Sequence, residues 1–247
     1  MEVFVVTGGS SGIGAAVARR LVARGAAVVL GSRGEEAGAA MARSLGPEAV
    51  FVPCDVTEEA QVQSLVDAAV ERFGRLDGAF NNAGGVVSPG ARVDGVATTT
   101  WAAELTLNLT SVFWCVRAEL AAMRACGARG AIVNNASLAG AGGVPGLAPY
   151  AAAKHGVVGL TRSVALECAE EGIRVNAILT GNADTPLYRS LLGVGAAAPR
   201  DSLDAPNPSA RVADPDEIAA FVAWLLSSEA SFVTGAALAI DGGFGAT

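Results

Sequence analysis

Short apolar runs alternate along the whole chain with longer amphipathic stretches, and glycines close several of the latter. The runs are Glu2 to Thr7, Ala26 to Gly31, Ala49 to Pro53, Leu76 to Phe80, Ala131 to Val133, Ile173 to Leu179 and Ala236 to Ile240. Helical patterns cover Ala15 to Arg24, Glu35 to Leu45, Glu58 to Phe73, Thr98 to Cys126, Tyr150 to Glu167 and Asp214 to Ser227. Gly25, Gly46 and Gly74 stand where helices should end, and Asp214-Pro215 supplies a cap and a first turn. Strands that alternate with helices form βαβ units, so the chain is predicted to be α/β, a doubly wound parallel sheet of about seven strands with helices on both faces. No repeat or linker divides residues 1–247, which are read as one domain.

The first strand runs into Thr7-Gly8-Gly9-Ser10-Ser11-Gly12-Ile13-Gly14 and then into a helix. Strand, glycine loop and helix together suggest a dinucleotide site of Rossmann type, although the spacing G-x-x-x-G-x-G differs from the G-x-G-x-x-G fingerprint. Gly8 permits a tight turn, Gly12 lets the backbone approach a pyrophosphate, Gly14 lets the helix pack close to the sheet, and the helix N-terminus attracts the anion. Ser10 and Ser11 add hydroxyls for phosphate. The end of the second strand meets the adenosine ribose in such sites, where an acid would bond the 2'-hydroxyl of NAD. Here the chain has Ser32-Arg33. With no carboxylate to repel a 2'-phosphate and a guanidinium beside it, NADP(H) is the preferred cofactor and NAD(H) the alternative. Glu35 and Glu36 temper that preference, and a solvated loop arginine is the other reading of Arg33.

Ser137 to Lys154, SLAGAGGVPGLAPYAAAK, joins a hydroxyl, a phenol and an ammonium through a glycine-rich apolar loop. Tyr150 and Lys154 stand four residues apart on a predicted helix and share a face, so their heads can meet one ligand. An ammonium beside a phenol favours the phenolate, and the expectation is a tyrosine pKa lowered from about 10 towards neutral, fit for proton transfer. Ser137, after the fifth strand, is positioned to hydrogen-bond the same substrate oxygen. A packed ring and a solvated amine would explain Tyr-x-x-x-Lys alone.

Five motifs in order, Thr7 to Gly14, Asn81 to Gly84, Asn108, Ser137, and Tyr150 with Lys154, span nearly the whole chain. With them the sequence resembles the short-chain dehydrogenase/reductase family, and its tail, Ser231 to Gly243, is similar to that of 3-oxoacyl-carrier-protein reductases. The resemblance implies that Asn108, Ser137, Tyr150 and Lys154 are catalytic, with Asn108 bending its helix and holding a relay water. It further implies cofactor contacts at Gly8, Ser10, Ser11, Gly12, Ile13, Gly14, Ser32, Arg33, Asp55, Val56, Asn82, Ala83, Gly84, Tyr150, Lys154, Gly181, Ala183 and Thr185. Within that set Asp55 bonds the adenine amino group, although it also suits a cap for the helix near Glu58. The family's usual Pro-Gly after the sixth strand is Thr180-Gly181 here, and about 182–210 corresponds to a substrate lid. A homotetramer or homodimer packed through the helices after Thr98 and Tyr150 is also implied.

Composition bounds the remaining choices. Hydrophobic residues make up 51% and charged residues 17%, yet no apolar run reaches the roughly 18 residues of a membrane span. The first strand starts at Val3 with no charged and apolar leader ahead of it, so no secretory signal and a cytoplasmic location are expected. Cys54, Cys115, Cys126 and Cys168 lie far apart with a single histidine in the chain, so no metal is expected and the thiols are read as buried. Net charge of -7 argues against nucleic acid. The partner is then a small carbonyl or alcohol, a neutral or weakly polar ketone for want of a charged anchor. Glu170-Glu171 speaks against an acidic carrier. The predicted reaction is NADP(H)-dependent interconversion of ketone and secondary alcohol. An NAD-dependent alcohol or diol dehydrogenase and a non-catalytic cofactor-binding regulator stay open. Trp101, Phe113 and Trp114 are read as core aromatics and His155 as a packing or interface residue.

Overall fold

The structure, a computed structural model, describes residues 1–203, 205 and 207–246. Its order is β1 (Val3–Thr7), α1 (Gly12–Ala23), β2 (Ala27–Ser32), α2 (Glu35–Leu45), β3 (Ala49–Pro53), α3 (Glu59–Phe73), β4 (Gly78–Asn81), α4 (Thr98–Leu105), α5 (Ser111–Ala125), β5 (Ala131–Asn135), α6 (Ala148–Cys168), β6 (Arg174–Thr180), α7 (Pro186–Leu192), α8 (Pro215–Leu226) and β7 (Ala237–Ile240). The seven strands form one sheet in the order β3-β2-β1-β4-β5-β6-β7, every neighbouring pair parallel. The strand order reverses between β1 and β4, which opens a crevice at the carboxyl ends of those strands.

The apolar runs read as strands because both their faces are covered. Val3 and Val5 point into one core with Leu65, Met123 and Val157 of α3, α5 and α6, while Phe4 and Val6 point into another with Leu21 and Val222 of α1 and α8. Successive side chains of β1 thus serve opposite layers, the period of two that a strand imposes. Helix ends follow local chemistry. Gly74 closes α3 in the left-handed region at φ 78°, and Asp214 with Glu217 forms a capping box that starts α8.

Several expectations are corrected. The helix expected over Thr98 to Cys126 is two helices joined by a π turn at Thr106–Thr110, and that turn carries Asn108. β5 continues through Asn134 and Asn135 because both amides find partners. Trp101 and Phe113 are exposed, since the buried positions of α5, including Val112, Cys115, Val116 and Met123, put Phe113 on the outer side; Trp114 does pack on the core. His155 is exposed and its Nδ1 lies 2.9 Å from the Ala151 carbonyl, so it is no packing residue. Cys126 is half-buried, unlike the other three cysteines. No helix among the described residues is long and apolar enough to cross a membrane. Of the stretch read as a lid, Asp204 and Pro206 lie outside the described residues.

Candidate active site

A cavity of about 840 Å³ opens over the carboxyl ends of β1, β4, β5 and β6 and reaches from Arg33 at one end to Leu191 at the other. The glycine loop forms its floor. Gly8 and Gly12 take φ of 64° and 53°, in the left-handed region. Gly14 is required by close approach, because a Cβ there would collide with the Gly8 carbonyl oxygen. α1 starts at Gly12, earlier than its apolar pattern suggests, and Ser11 at its N-cap makes no side-chain cap bond. Its hydroxyl and the first N–H groups of the helix are therefore available to an anion. Thr7 Oγ1 accepts from the backbone N–H groups of Asn82 and Ala83 at 2.9 and 3.0 Å, tying the loop to the turn after β4.

Ser10, Ser11, Gly12, Ile13, Ser32, Arg33, Asp55, Val56, Asn82, Ala83, Gly84, Gly181, Ala183 and Thr185 all line this cavity, as do Tyr150 and Lys154. Gly14 lies behind the loop and supports it. Ser32 Oγ is buried with no partner among the described residues, and Arg33 beside it forms no hydrogen bond or ion pair there. An orphaned hydroxyl, a loose guanidinium and a helix N-terminus at one end of a long cleft fit a nicotinamide dinucleotide. Asp55 does not cap α3, whose cap position is Glu58. Its Oδ1 accepts from the N–H and the hydroxyl of Thr57 at 3.0 and 2.7 Å, which holds its pKa below the ordinary value. Its remaining acceptor capacity faces the cavity.

At the other end three chemical groups converge. Ser137 follows β5, its Oγ accepts from Ala139 N at 3.2 Å, and its hydroxyl hydrogen-bonds the Tyr150 phenol. Pro149 in the first turn of α6 sets the start of the helix that carries Tyr150 and Lys154 on one face. Lys154 is 4% exposed; its Nζ donates to the Asn135 carbonyl at 2.8 Å and lies 5.5 Å from the centre of the Tyr150 ring. The expected lowering of the tyrosine pKa is overturned. Burial pushes the phenol up, and the nearby Glu104 charge adds to it against the Ser137 bond. Lys154 is itself pushed down to about 8 by burial. An ammonium whose proton is that loosely held, and directed at a carbonyl, does not outweigh the desolvation of the phenol.

Asn108 is fully buried in the π turn, where its Oδ1 accepts from Gly85 N at 3.1 Å and its Nδ2 donates to Gly85 O and Glu104 Oε1, both at 2.8 Å. Its amide is satisfied within the protein, so it braces the turn after β4 against α4. Two residues escaped the sequence reading. Asn135 donates to Asn82 Oδ1 at 3.0 Å and accepts from Thr180 Oγ1 at 2.6 Å, so the residue in the usual proline's place fastens β6 to the cofactor loop. Polar residues at the end of a buried strand were the visible signal. Glu104 was the other, an acid one turn before Asn108 on a stripe otherwise suited to the core.

Residues 8–245 match a family described as enoyl-(acyl carrier protein) reductase. The chain is 46% identical over 245 residues to cis-4-hydroxycyclohexanecarboxylate dehydrogenase of Sinomonas cyclohexanicum, covering 98% of this chain and 96% of that one. It is 41% identical over 243 residues to 2,5-dichloro-2,5-cyclohexadiene-1,4-diol dehydrogenase of Sphingobium indicum, with the same coverage. The solved structure of a point variant of actinorhodin polyketide ketoreductase with NADPH superposes with a TM-score of 0.89 at 39% identity, covering 100% of this chain and 98% of that one.

Proposed function

The chain belongs to the short-chain dehydrogenase/reductase family of NAD(P)-dependent oxidoreductases acting on CH–OH and C=O groups, and on that footing we propose an NADP(H)-dependent ketoreductase for neutral, ring-bearing ketones. The observation that carries the reading is the convergence of Ser137, Tyr150 and Lys154 at one end of a cleft whose other end is the glycine loop. Nicotinamide, when bound, would supply or take the hydride. Tyr150, its phenol held protonated by burial, gives its proton to the carbonyl oxygen in the reducing direction, and Ser137 hydrogen-bonds that oxygen. Lys154 orients the ribose and refills the phenol, and Asn108 anchors the relay behind it. Ser10, Ser11 and the start of α1 would hold the pyrophosphate, and Ser32 and Arg33 the 2'-phosphate. The NADPH of the ketoreductase neighbour supports this choice of cofactor.

Val86, Leu147, Leu187 and Leu191 line the substrate end, and the charged side chains of the cavity other than Lys154 are Arg33 and Asp55 at the far end. An uncharged ring suits such walls; the ring diol in one relative's name supports both ring and neutrality, while the other's, a ring carboxylate, supports the ring alone. We read 182–210 as a lid, in support of which Asp184 pairs with Arg189 and Arg200, and Arg200 reaches Asp214. Exposed Phe113 and Leu166 on α5 and α6 support a homodimer or homotetramer, in a cytoplasmic protein.

Titration with NADPH and NADH, then turnover on a panel of cyclic ketones, tests the reading. NADPH is expected to bind more tightly and at least one neutral ring ketone to be reduced. Tyr150→Phe should abolish turnover with cofactor affinity nearly unchanged, and substantial residual activity would sink the assignment.

A further inference from the structure

Glu104 is 1% exposed, yet both its oxygens are engaged. Oε1 accepts from Asn108 Nδ2 at 2.8 Å and Oε2 from Val87 N at 2.9 Å. Two N–H donors facing two oxygens suit an ionised carboxylate, which has no proton to place. Glu119, the other fully buried acid among the described residues, contrasts with it, because its Oε1 has no partner there. A Cβ on Gly84 would meet Asn108 Oδ1 at 2.8 Å and Lys154 Nζ at 3.6 Å, so amide and ammonium border one small space that only glycine leaves open. Carboxylate, amide and ammonium therefore follow one another behind Tyr150.

Lys154 needs such a group. A buried ammonium without a counter-charge is costly, and its one hydrogen-bond acceptor, the Asn135 carbonyl, is neutral. Among the described residues Glu104 is the charge that acts on Lys154, opposing the effect of burial, and it acts on Tyr150 as well. Lys154 and the N–H groups of Val87 and Ser88 act in turn on Glu104, restraining the rise that burial causes in it. His155, next along α6, turns outward to the Ala151 carbonyl.

We propose that Glu104 is a positioning residue of this active site: ionised, it clamps the Asn108 amide and the turn at residues 85–87, and it is the buried counter-charge that keeps Lys154 an ammonium. The proposal rests on the catalytic reading of Lys154, but its test does not require turnover. Lys154 is the only lysine in the chain, so protein labelled with 13C-lysine gives a single side-chain signal that reports its protonation directly.

In Glu104→Gln the midpoint of that signal is expected to fall by about one pH unit, the scale of a lost opposite charge acting on a buried ammonium. Glu104→Asp keeps the charge, so its midpoint should stay within a few tenths of the parent's while turnover drops through the loosened Asn108. An unchanged midpoint in Glu104→Gln, or an equal fall in both variants, overturns the proposal. Glutamine sets an N–H against a donor on one side or the other, and folding can suffer. The unaltered protein then decides: the lysine signal should show a second, small inflection below pH 7 where Glu104 protonates. Its absence, or an inflection above pH 7, overturns the proposal. A shifted lysine in a protein that reduces no ketone would instead sink the functional reading, and with it the positioning role, and leave Glu104 as the counter-charge of Lys154 alone.

Discussion

Replacing Glu119 by glutamine should stabilise the protein, and increasingly so as pH rises. Glu119 sits on α5 with no exposure, and its Oε2 accepts from Asn81 Nδ2 at 3.0 Å. Among the described residues its Oε1 and Asn81 Oδ1 are both buried without partners, so the pair lacks a donor that a neutral acid or an amide carries. Burial pushes the carboxyl up to about 8 from an ordinary 4.5. A folded-state pKa above the unfolded one means that the folded protein binds more protons, so stability falls as pH rises from 4.5 and the loss is complete above 8. At about 1.4 kcal/mol per pH unit, the cost reaches roughly 3 kcal/mol at pH 7 and about 4–5 kcal/mol beyond pH 8, less whatever water entry relieves. Glutamine removes this cost and supplies the missing N–H. Urea unfolding of parent and variant at pH 5, 6, 7 and 8, at one protein concentration, reads the difference and cancels groups common to both. Glu119→Gln should be near neutral at pH 5 and more stable by a few kcal/mol at pH 8. A difference that does not grow with pH would refute a protonated Glu119.

Three further outcomes are expected. Arg33→Ala should weaken NADPH binding by about 1.5–3 kcal/mol, the scale of a charged hydrogen bond, and spare NADH; fluorescence titration with both reads it, and equal loss would make Arg33 a bystander. Gly14→Ala gains helix propensity but drives a Cβ into the Gly8 carbonyl, so a net loss of about 1–3 kcal/mol and weaker cofactor binding should appear in melting and titration. Thr180→Val keeps the shape and removes the donor to Asn135 Oδ1 at 2.6 Å; a loss of about 1–2 kcal/mol in urea unfolding is expected, and no change would mean that the bond is idle.

The cofactor loop and the Tyr150–Lys154 pair were legible because their geometry is local. Residues 7–14 are one turn between a strand and a helix, and a spacing of four brings two side chains to one helix face. The tyrosine's protonation was misread for the opposite reason. Proximity to an ammonium is visible in the spacing, whereas the desolvation that outweighs it depends on what α4 and the loop after β5 pack around the ring. The single helix drawn from Thr98 to Cys126 failed likewise, because no local residue type marks the extra residue that a π turn inserts into an otherwise helical stretch.

By itself, then, the sequence determined the parallel α/β sheet and the order of its elements, since runs covered on both faces and joined through helices have one way to pair. It also brought forward the residues proposed to carry proton and phosphate chemistry. Tertiary structure decided which buried polar groups meet. Thr180 reaches Asn135 across 45 residues, Asn81 reaches Glu119 across 38, and Glu104 spans from Asn108 back to Val87. The two that involve a carboxyl set its charge state. Glu104 finds a donor for both oxygens and stays ionised; Glu119, equally buried, finds one and holds its proton. Two glutamates fifteen residues apart in neighbouring helices differ only in what folding brings to them.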